Sequence, residues 1–521
     1  MNVSNSPWWC DAVIYQIYPR SFADGNGDGI GDLAGVRARL DHLVDLGVDA
    51  IWFSPWYPSP QADAGYDVAD YRNIEPIFGT LAEAEQLIAE AHERGIRVII
   101  DIVPNHVSSA HPWFQAALAS PDAPERELFW FRSGPDRPTD WEGEFGGPTW
   151  SQTPDGAWYL HLFDAAQPDL NWNHPRVREE HLDILRFWLE RGVDGFRVDS
   201  AALLVKDPAL PPVAPDRPHP FHDLDGVHEI YRSWRRLIDS YGGDRTLIGE
   251  VWLPDPDRFA RYLRADEMHS AFNLEFLCSP WDPARLREII DETIRVHEPL
   301  GAVATWVLSN HDVTRPVTRY GRAETGFSFA AKREGIPTDL RLGTVRARAA
   351  ALLSLALPGA AYVYQGEELG LEEVEDIPPA LRQDPMWHRS GHRDPGRDGC
   401  RVPLPWSGEE PPFGFGTGTP WLPQPRAWKD RTVAVQRADP ASMLSLYRSA
   451  LRLRRTLPSS PLTWMDSAPD VLAFRRDPGF GCVANLSPAA VALPAGSAVL
   501  LASGPLDDGL LPPDTTVWLA L

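Results

Sequence analysis

The sequence feature that most constrains the fold is a short apolar run that ends on charged residues and recurs along the chain. Residues 195–199, Gly-Phe-Arg-Val-Asp, form one instance, and three similar runs end on Asp101, on Glu250 and on the pair His311 and Asp312. Such a run suits a strand buried on both faces of a parallel sheet. A single run could equally be a strand capped by a solvated acid. Together, the runs predict strands of a (β/α)8 barrel whose charged ends meet at one rim.

Strand-like and helix-like segments alternate around these runs, which predicts an α/β fold with a parallel sheet. The predicted strands are residues 12–18, 49–54, 97–103, 195–199, 246–250, 270–276, 303–309 and 361–364. The predicted helices are residues 33–46, 81–94, 175–191, 226–240, 341–357 and 441–456. Eight strands in this order are the number that closes a TIM barrel.

Two parts of the chain depart from the alternation. Residues 105–167 are rich in Pro, Trp and Phe, have no clear period, and are too long for a simple connection. Residues 457–521 contain short apolar runs broken by Pro and Gly, which predict a small antiparallel β domain. We therefore predict a barrel made of residues 1–104 and 168–456, with an inserted domain, called domain B, over its mouth.

The composition limits the classes of partner. The 521-residue chain has a formal net charge of -24, which disfavours nucleic acid and anionic membranes and favours a neutral or cationic substrate, although plain solubility explains the charge as well. Cys10, Cys278, Cys400 and Cys482 form no CxxC pair, so neither disulfides nor a thiolate metal site is expected. Because strand-like sequence begins at Ala12 and no run is long enough to span a bilayer, we expect a soluble cytoplasmic protein. The oligomeric state stays open.

The loop of residues 24–32 has the spacing of a cation site. Oxygen-bearing side chains stand at Asp24, Asn26, Asp28 and Asp32, with the carbonyl of Ile30 between them and glycines at the alternate positions. This resembles the first part of a calcium-binding loop. We predict one structural divalent cation, with calcium favoured and magnesium possible, and no organic cofactor. The open alternative is a turn-rich loop without an ion.

Six motifs then carry a resemblance to a known family. Their order along the chain is similar to that of the α-amylase family of glycoside hydrolases, and within it the oligo-1,6-glucosidase and α-glucosidase branch. The resemblance implies a catalytic barrel, domain B, a C-terminal β-sandwich, and retaining hydrolysis of α-glucosidic bonds. The motifs are DIVPNH at 101–106, QPDLNW at 167–172, GFRVD at 195–199, IGEVW at 248–252, SNHD at 309–312 and YQGEELG at 364–370.

The catalytic roles follow from chemistry beside that resemblance. A retaining glycosidase needs an ionised carboxylate as nucleophile and a protonated acid about 5 Å away. Asp199 follows Arg197 by two residues, so on a strand both side chains share a face and Arg197 can keep Asp199 ionised. Glu250 lies among apolar neighbours that should raise its pKa, which suits the acid/base. The resemblance assigns Asp312 to transition-state stabilisation.

The resemblance also implies a pocket for one terminal glucose. Tyr66 is expected to stack on the sugar, and Asp63 to bind its 4- and 6-hydroxyls. Arg401 is expected to pair with Asp63 and close the pocket, which would make the enzyme exo-acting. Phe145 and Phe163 are candidates for an apolar rim, although each could equally belong to the domain B core.

Two histidines and one possible ion site complete the predicted site. His106 and His311 adjoin motif carboxylates, so we expect them to donate hydrogen bonds to sugar hydroxyls. In endo-acting relatives the residue matching Asn105 binds calcium between domains. Here Asn105 is expected to be structural, with Lys206 in that space.

The alternatives are an oligo-1,6-glucosidase and a family transferase or isomerase. Ser200 stands where α-1,6-cleaving relatives usually carry Val, which predicts a preference for α-1,4 bonds. Transglycosylation is expected as a side activity. A family transferase or isomerase, for trehalose or sucrose, shares the catalytic residues, but residues 311–320 do not match the charged segment of the isomerases. A noncatalytic transporter subunit would carry a membrane span and often lack a carboxylate.

Overall fold

The computed structural model describes residues 6–215, 218–332 and 334–521. Eight parallel strands form the barrel in chain order, and the eighth strand pairs with the first. They are Val13–Ile17, Ala50–Phe53, Arg97–Ile102, Gly195–Val198, Thr246–Gly249, Ser270–Ala271, Thr305–Val307 and Ala360–Tyr364. The predicted TIM barrel is thereby confirmed.

The seam between the sixth and seventh strands is joined by a side chain. The hydroxyl of Thr305 donates a hydrogen bond to the carbonyl of Ala271 (2.7 Å) and accepts one from the backbone N–H of Asn273 (3.1 Å). A short sixth strand offers few ladder partners, so this threonine supplies the link that the backbone does not.

The α-helices largely match the predicted ones and cover the outside of the barrel. A capping box, with Thr80 and Glu83 bonding each other's backbone, begins the helix after the second strand. The α-helices are Pro19–Phe22, Leu33–Ala38, Leu40–Leu46, Leu81–Glu93, Pro112–Ala119, Pro175–Glu190, Gly226–Asp239, Pro256–Ala260, Leu274–Cys278, Pro283–His297, Pro316–Tyr320, Leu340–Ala356, Pro385–Arg389, Val433–Ala438 and Met443–Arg454. Short 3-10 helices are Trp8–Cys10, Pro124–Leu128, Arg261–Leu263, Glu298–Leu300, Phe329–Ala331, Pro379–Leu381, Asp398–Cys400 and Arg426–Arg431.

Two predicted elements were wrong in extent. The helix at 33–46 is broken at Arg39, which leaves the helical conformation and places its guanidinium 4.5 Å from the ring of Trp406. The strand at 270–276 stops at Ala271, because Asn273 caps a helix by accepting the N–H of Phe276 (2.9 Å). Both breaks come from tertiary contacts or a cap that the apolar pattern does not reveal.

Between the third and fourth barrel strands lies a small antiparallel sheet. Its strands are Phe131–Arg132, Trp158–Leu160 and Trp150–Gln152, with the second in the middle. The aromatic core beside it includes Trp130 and Trp141, both nearly fully buried. This is the region predicted as domain B; the predicted boundaries themselves stay predictions.

The chain ends in antiparallel β structure, as predicted. A five-stranded sheet has the order Leu462–Trp464, Val471–Arg476, Phe480–Asn485, Thr515–Ala520 and Ala498–Ala502, and a two-stranded ribbon pairs Val491–Ala492 with Leu510–Leu511. Trp518 fastens the sheet to the barrel by donating its indole N–H to the carbonyl of Leu352 (2.9 Å). Within the described ranges, no helix is both long and apolar enough to cross a membrane.

Candidate active site

A cavity of about 630 Å³ opens at the carboxyl ends of the barrel strands, with domain B forming one wall. All residues predicted to act in catalysis or substrate binding line it, except Arg197 and Arg401, which lie buried behind it. The lining residues from the prediction are Asp63, Tyr66, His106, Phe145, Phe163, Asp199, Ser200, Glu250, His311 and Asp312. Since they come from several strands and from domain B, the fold itself assembles this set.

One buried arginine holds the predicted nucleophile and acid/base. Arg197 contacts Asp199 through Nη1 (2.7 Å to Oδ1) and Glu250 through Nη2 (2.8 Å to Oε2). Nη1 also contacts Oδ1 of Asp101 at 2.8 Å. Arg197 and Asp199 therefore do share a strand face, as the two-residue spacing requires.

Burial raises the pKa of each carboxyl group around Arg197. Burial raises the pKa of Glu250 to about 7 and that of Asp101 to about 8, with the charge of Arg197 opposing both shifts. Burial also raises the pKa of Asp199, against the charge and hydrogen bond of Arg197. The predicted rise for Glu250 is supported, although its surroundings are not purely apolar. Its oxygens accept the indole N–H of Trp252 (3.0 Å) and the backbone N–H that follows Asp199 (2.9 Å).

A second buried arginine organises the opposite side of the cavity, and here one prediction was wrong. Asp63 pairs with Arg397 (Nη2 to Oδ1, 2.8 Å), and no ion pair with Arg401 is found in the described structure. Arg397 also contacts Asp312 (Nη1 to Oδ1, 3.1 Å) and Asp384 (Nε to Oδ2, 2.6 Å). Arg401 lies behind, 3.1 Å from Asp312 and 3.5 Å from Asp384. The short 3-10 helix Asp398–Cys400 separates the two arginines and turns Arg401 away from the cavity.

These arginines act differently on the three acids. Burial alone would raise the pKa of Asp312, but His311, Arg397 and Arg401 together lower it well below its ordinary value. Asp384 likewise has its pKa lowered to about 2 by Arg397 and Arg401 in spite of burial. Burial raises the pKa of Asp63 to about 7, with Arg397 opposing the shift.

Tyr66 and His311 form a fixed hydrogen-bonded pair. The amide N–H of Gln16 points at Nδ1 of His311 (2.7 Å), which leaves the proton on Nε2, 2.8 Å from the hydroxyl of Tyr66 and 3.5 Å from Oδ2 of Asp312. The Tyr66 hydroxyl in turn donates to Asp101 (3.0 Å). Burial lowers the pKa of His311 to about 3, so its imidazole is a neutral donor.

The domain B wall carries the two predicted aromatic residues. The ring of Phe163 lies 4.9 Å from His106 and 5.3 Å from Phe145, measured between ring centroids. The guanidinium of Arg397 lies 5.2 Å from the Phe145 ring. His106 also faces the side-chain amide of Gln167 (3.1 Å), and burial lowers its pKa to about 4. Both aromatic rings therefore face the cavity.

Sequence and structure comparisons agree with this geometry. Residues 16–459 match the family described as the α-amylase catalytic domain. The chain belongs to the α-amylase family of glycoside hydrolases. It is 39% identical over 515 residues to a probable α-glucosidase of Rhizobium meliloti (strain 1021), covering 92% of this chain and 89% of that protein. It is 35% identical over 489 residues to an oligo-1,6-glucosidase of Parageobacillus thermoglucosidasius, covering 86% and 84%. The crystal structure of the α-glucosyl transfer enzyme XgtA matches with a TM-score of 0.87 at 35% identity, over 99% and 100% of the chains.

Within this α-amylase-family barrel, Lys206 lies where it was predicted. Its ammonium contacts Asp169 (2.8 Å) and donates to the side-chain oxygen of Asn105 (2.6 Å). All three residues are buried. Asn105 is thus engaged by a side-chain cation, which suits the structural role predicted for it.

The predicted cation loop is held by hydrogen bonds within itself. Asp24 accepts the N–H groups of Gly27 (2.6 Å) and Gly29 (3.0 Å). Asp32 caps the helix that follows by accepting the N–H of Gly35 (2.6 Å).

The same loop presents only oxygen atoms to an ion. The side chain of Asn26 accepts the N–H of Asp28 (2.9 Å), and Asp28 accepts that of Ile30 (2.8 Å). Carboxylate and amide oxygens keep further lone pairs, so this donor set fits a hard cation. Over the described ranges, no group of three or more His, Cys, Asp or Glu residues is arranged to hold a metal ion. The cation stays a prediction.

Sequence reasoning missed several polar residues of the site, among them Arg397 and the lining residues Glu142, Glu144, His219 and His222. Gln167 donates to Asp63 (3.1 Å) and is the first residue of the QPDLNW motif, whose individual side chains had no predicted role. Gln16 sits at the end of the first strand, a position from which it could have been suspected. Asp384 lies in a loop without periodicity, so no sequence signal pointed to it.

Proposed function

We propose that this protein is an exo-acting, retaining α-glucosidase that releases α-glucose from the nonreducing end of short α-glucosides. The observation that carries the proposal is the buried ion pair between Asp63 and Arg397, both of which line the cavity. In this proposal the charged pair blocks a longer chain beyond the terminal sugar. The hydroxyls of that sugar would satisfy the remaining lone pairs of Asp63.

The arrangement around Arg197 supports a double displacement. Asp199 attacks the anomeric carbon while Glu250, with its raised pKa, gives its proton to the leaving oxygen. The glucosyl ester on Asp199 is then hydrolysed by a water that Glu250 deprotonates. Arg197 contacts both carboxylates, so it can stabilise whichever one is charged at each step.

Asp312 and the histidines would bind the flattening ring. The lowered pKa of Asp312 keeps it ionised, so it can accept hydrogen bonds from the sugar 2- and 3-hydroxyls. The neutral imidazole of His106 can donate to the sugar, whereas the Nε2–H of His311 would have to turn from the Tyr66 hydroxyl to do so. Interactions that strengthen as the ring flattens contribute to catalysis rather than to binding alone.

We further propose a preference for α-1,4 over α-1,6 bonds, supported by Ser200. Its side chain lines the cavity next to the nucleophile, and its backbone N–H donates to Glu250. A hydroxyl there removes the apolar wall on which a flexible 1,6-linked sugar would pack, a difference of roughly 1 to 3 kcal/mol.

Transglycosylation is proposed as a side activity, with glucosyl transfer as the alternative main reaction. The cavity lining also includes Phe221, Trp252 and Phe329, which offer an apolar surface for an acceptor sugar. Similarity to the α-glucosyl transfer enzyme favours this alternative. Isomerisation of sucrose or trehalose is the weaker alternative.

We also propose that the loop of residues 24–32 holds one calcium or magnesium ion in a structural role, supported by its all-oxygen donor set. A cytoplasmic location is supported only by four cysteines that are unpaired in the structure.

Product analysis tests the proposal. Maltose, isomaltose, sucrose, trehalose and maltotriose should be incubated separately with the enzyme, and the first products followed by NMR. We expect the glucose released first from maltotriose to be the α-anomer, and we expect maltose to be hydrolysed faster than isomaltose. β-Glucose as the first glucose released from maltotriose would contradict the retaining mechanism, and conversion of sucrose or trehalose without net hydrolysis would favour the isomerase alternative.

A further inference from the structure

The carboxylate of Asp384 contacts both Arg397 and Arg401 but does not face the cavity. It is 1% exposed and is absent from the cavity lining. Its Oδ2 accepts both the Nε–H (2.6 Å) and the backbone N–H (3.0 Å) of Arg397. The same atom lies 3.5 Å from Nη1 of Arg401. One buried oxygen therefore ties down the side chain and the main chain of the same arginine.

These contacts divide the donors of the Arg397 guanidinium. With Nε bound to Asp384, the two terminal nitrogens are left for Asp312 and Asp63, at 3.1 and 2.8 Å. A guanidinium is planar, so fixing Nε and the backbone fixes the directions of the other donors. Without the Nε partner, the long side chain could rotate about its torsions and lose one of the two contacts.

The backbone conformation at Gly396 allows Arg397 to lie close to Asp384. Gly396 adopts φ of 72°, and a Cβ on it would lie 2.6 Å from the Cβ of Asp384. Glycine is the residue that allows both the left-handed conformation and the close contact. The chain before Arg397 can therefore pass directly over Asp384.

We propose that Asp384 is a positioning residue that holds Arg397 between Asp63 and Asp312 and thereby sets the affinity of the site for the terminal glucose. The proposal rests on the glucosidase function proposed above. Asp384 touches no substrate in this scheme, and it acts only through Arg397.

The variant Asp384→Asn separates this role from folding. Oδ1 of Asp384 accepts the N–H of Met386 (2.7 Å) and caps the helix Pro385–Arg389, and Asn preserves such a cap. The Nδ2 group that replaces Oδ2 cannot accept a hydrogen bond from Arg397. We expect KM for maltose to rise at least about tenfold and kcat to fall by less, because Asp63 binds the sugar before the reaction.

A control residue contacts the same loop from domain B. Asp164 contacts Arg389 (3.0 Å) and so joins this loop to domain B, but it does not contact Arg397. Asp164→Asn should leave KM within about twofold of the original. An equal rise of KM in both variants would overturn the proposal, because it would reflect general loosening of the loop.

A double-mutant cycle tests whether Asp384 acts through Arg397. In the Arg397→Met background, the added Asp384→Asn change should have almost no effect on KM. If it raised KM by the same factor as in the original enzyme, the proposal would be wrong. Calorimetric titration with the glucose-shaped inhibitor 1-deoxynojirimycin provides a readout independent of turnover, and its Kd should weaken at least about tenfold in Asp384→Asn alone.

The two proposals can fail separately. If the original enzyme does not hydrolyse maltose to α-glucose, the proposed function fails, whatever the variants do. If the original enzyme does so but Asp384→Asn keeps the original KM and inhibitor Kd with an unchanged melting temperature, the positioning role alone is rejected.

Discussion

Arg197 and Arg397 each contact three carboxylates, yet the pKa values of the two sets of acids are shifted differently. Around Arg197, burial outweighs the single positive charge, so the pKa of Asp101 is raised to about 8 and that of Glu250 to about 7. The pKa of Asp199 is raised as well. The positive charge of one guanidinium does not offset the desolvation of three carboxyl groups, so their pKa values stay above the ordinary range.

Around Arg397 a second cation changes the balance. Arg401 stands behind it, and together they lower the pKa of Asp384 to about 2 and that of Asp312 well below its ordinary value. Only Asp63, which contacts Arg397 but not Arg401 among the described ion pairs, has a raised pKa, about 7.

The difference matches the two tasks proposed for the cavity. A cluster that keeps protons can donate one to a leaving oxygen and take one from water. Asp312, whose pKa is lowered, can accept hydrogen bonds from sugar hydroxyls and stabilise a developing positive charge. The acids beside one arginine are thus suited to proton transfer, and the acids beside two arginines are suited to binding.

Removing the nucleophile should have the largest effect. Asp199→Asn is expected to lower kcat by at least about four orders of magnitude, because the amide cannot form the glucosyl ester. Asp101→Asn should cost less, because Asp101 forms no covalent bond to the sugar in this mechanism and acts only through its contacts with Arg197 and Tyr66. Turnover should be measured after mass spectrometry has excluded deamidation. Comparable activity in Asp199→Asn and the original enzyme would reject the assignment.

Removal of Arg401 should raise the pKa values of the acids around Arg397, as burial does for the acids around Arg197. In Arg401→Met we expect the pKa of Asp312 to rise and kcat/KM to fall about 10- to 100-fold. Activity would then be lost at a higher pH as the solution is acidified, since Asp312 must be ionised. Arg401→Lys should retain part of the activity.

Arg389→Met is the control for that experiment. Arg389 is partly exposed in the same loop and contacts Asp164 and the carbonyl of Gly146. An unshifted acid limb in Arg401→Met, relative to Arg389→Met, would show that Arg401 does not set the ionisation of Asp312.

The proton held beside Arg197 should appear in the pH profile. The acid step needs protonated Glu250, whose pKa is raised to about 7, so kcat/KM should decline as pH rises through about 7. The decline should vanish in Glu250→Gln assayed with an activated aryl glucoside, which needs no proton for departure. An alkaline limb that persists unchanged in Glu250→Gln would assign it to another group.

In the loop of residues 24–32, a metal ion is proposed to neutralise the acids, as the arginines do in the two clusters. If the loop holds this ion, chelation with EDTA should lower the melting temperature by at least about 2 °C and leave kcat nearly unchanged. Asp28→Ala should abolish that shift. Asp41→Ala, which removes a surface partner of Arg94, should keep it. No shift on chelation, with no metal by elemental analysis, would exclude the ion.

The smallest expected effect concerns Ser200. Ser200→Val should change the ratio of kcat/KM for maltose to that for isomaltose by roughly 5- to 100-fold towards isomaltose. Ser200 has φ of 46°, where a β-branched residue is strained, so the melting temperature should be measured alongside. Ser200→Ala is the matched small variant and should shift the ratio less. A higher kcat/KM for isomaltose in the original enzyme would refute the linkage preference.

Local patterns in the sequence were sufficient for the barrel and for much of the site. The apolar runs of the strands and the 3.6-residue period of the helices depend on neighbours within a few residues, so they can be read directly. Because parallel strands end at one rim, the same runs predicted that Asp101, Asp199, Glu250 and Asp312 would converge. Two-residue spacing likewise predicted the contact between Asp199 and Arg197.

The arginine that closes the pocket could not be read in this way. Asp63 and Arg397 are 334 residues apart, and only three residues lie between Arg397 and Arg401, so either arginine was compatible with the motif. The choice depends on how a loop without periodicity folds over Asp384 at Gly396, and such loops are shaped by packing and long-range hydrogen bonds rather than by a repeating pattern. The charges of both clusters follow from burial, which exists only once the chain has folded and removed water from the acids.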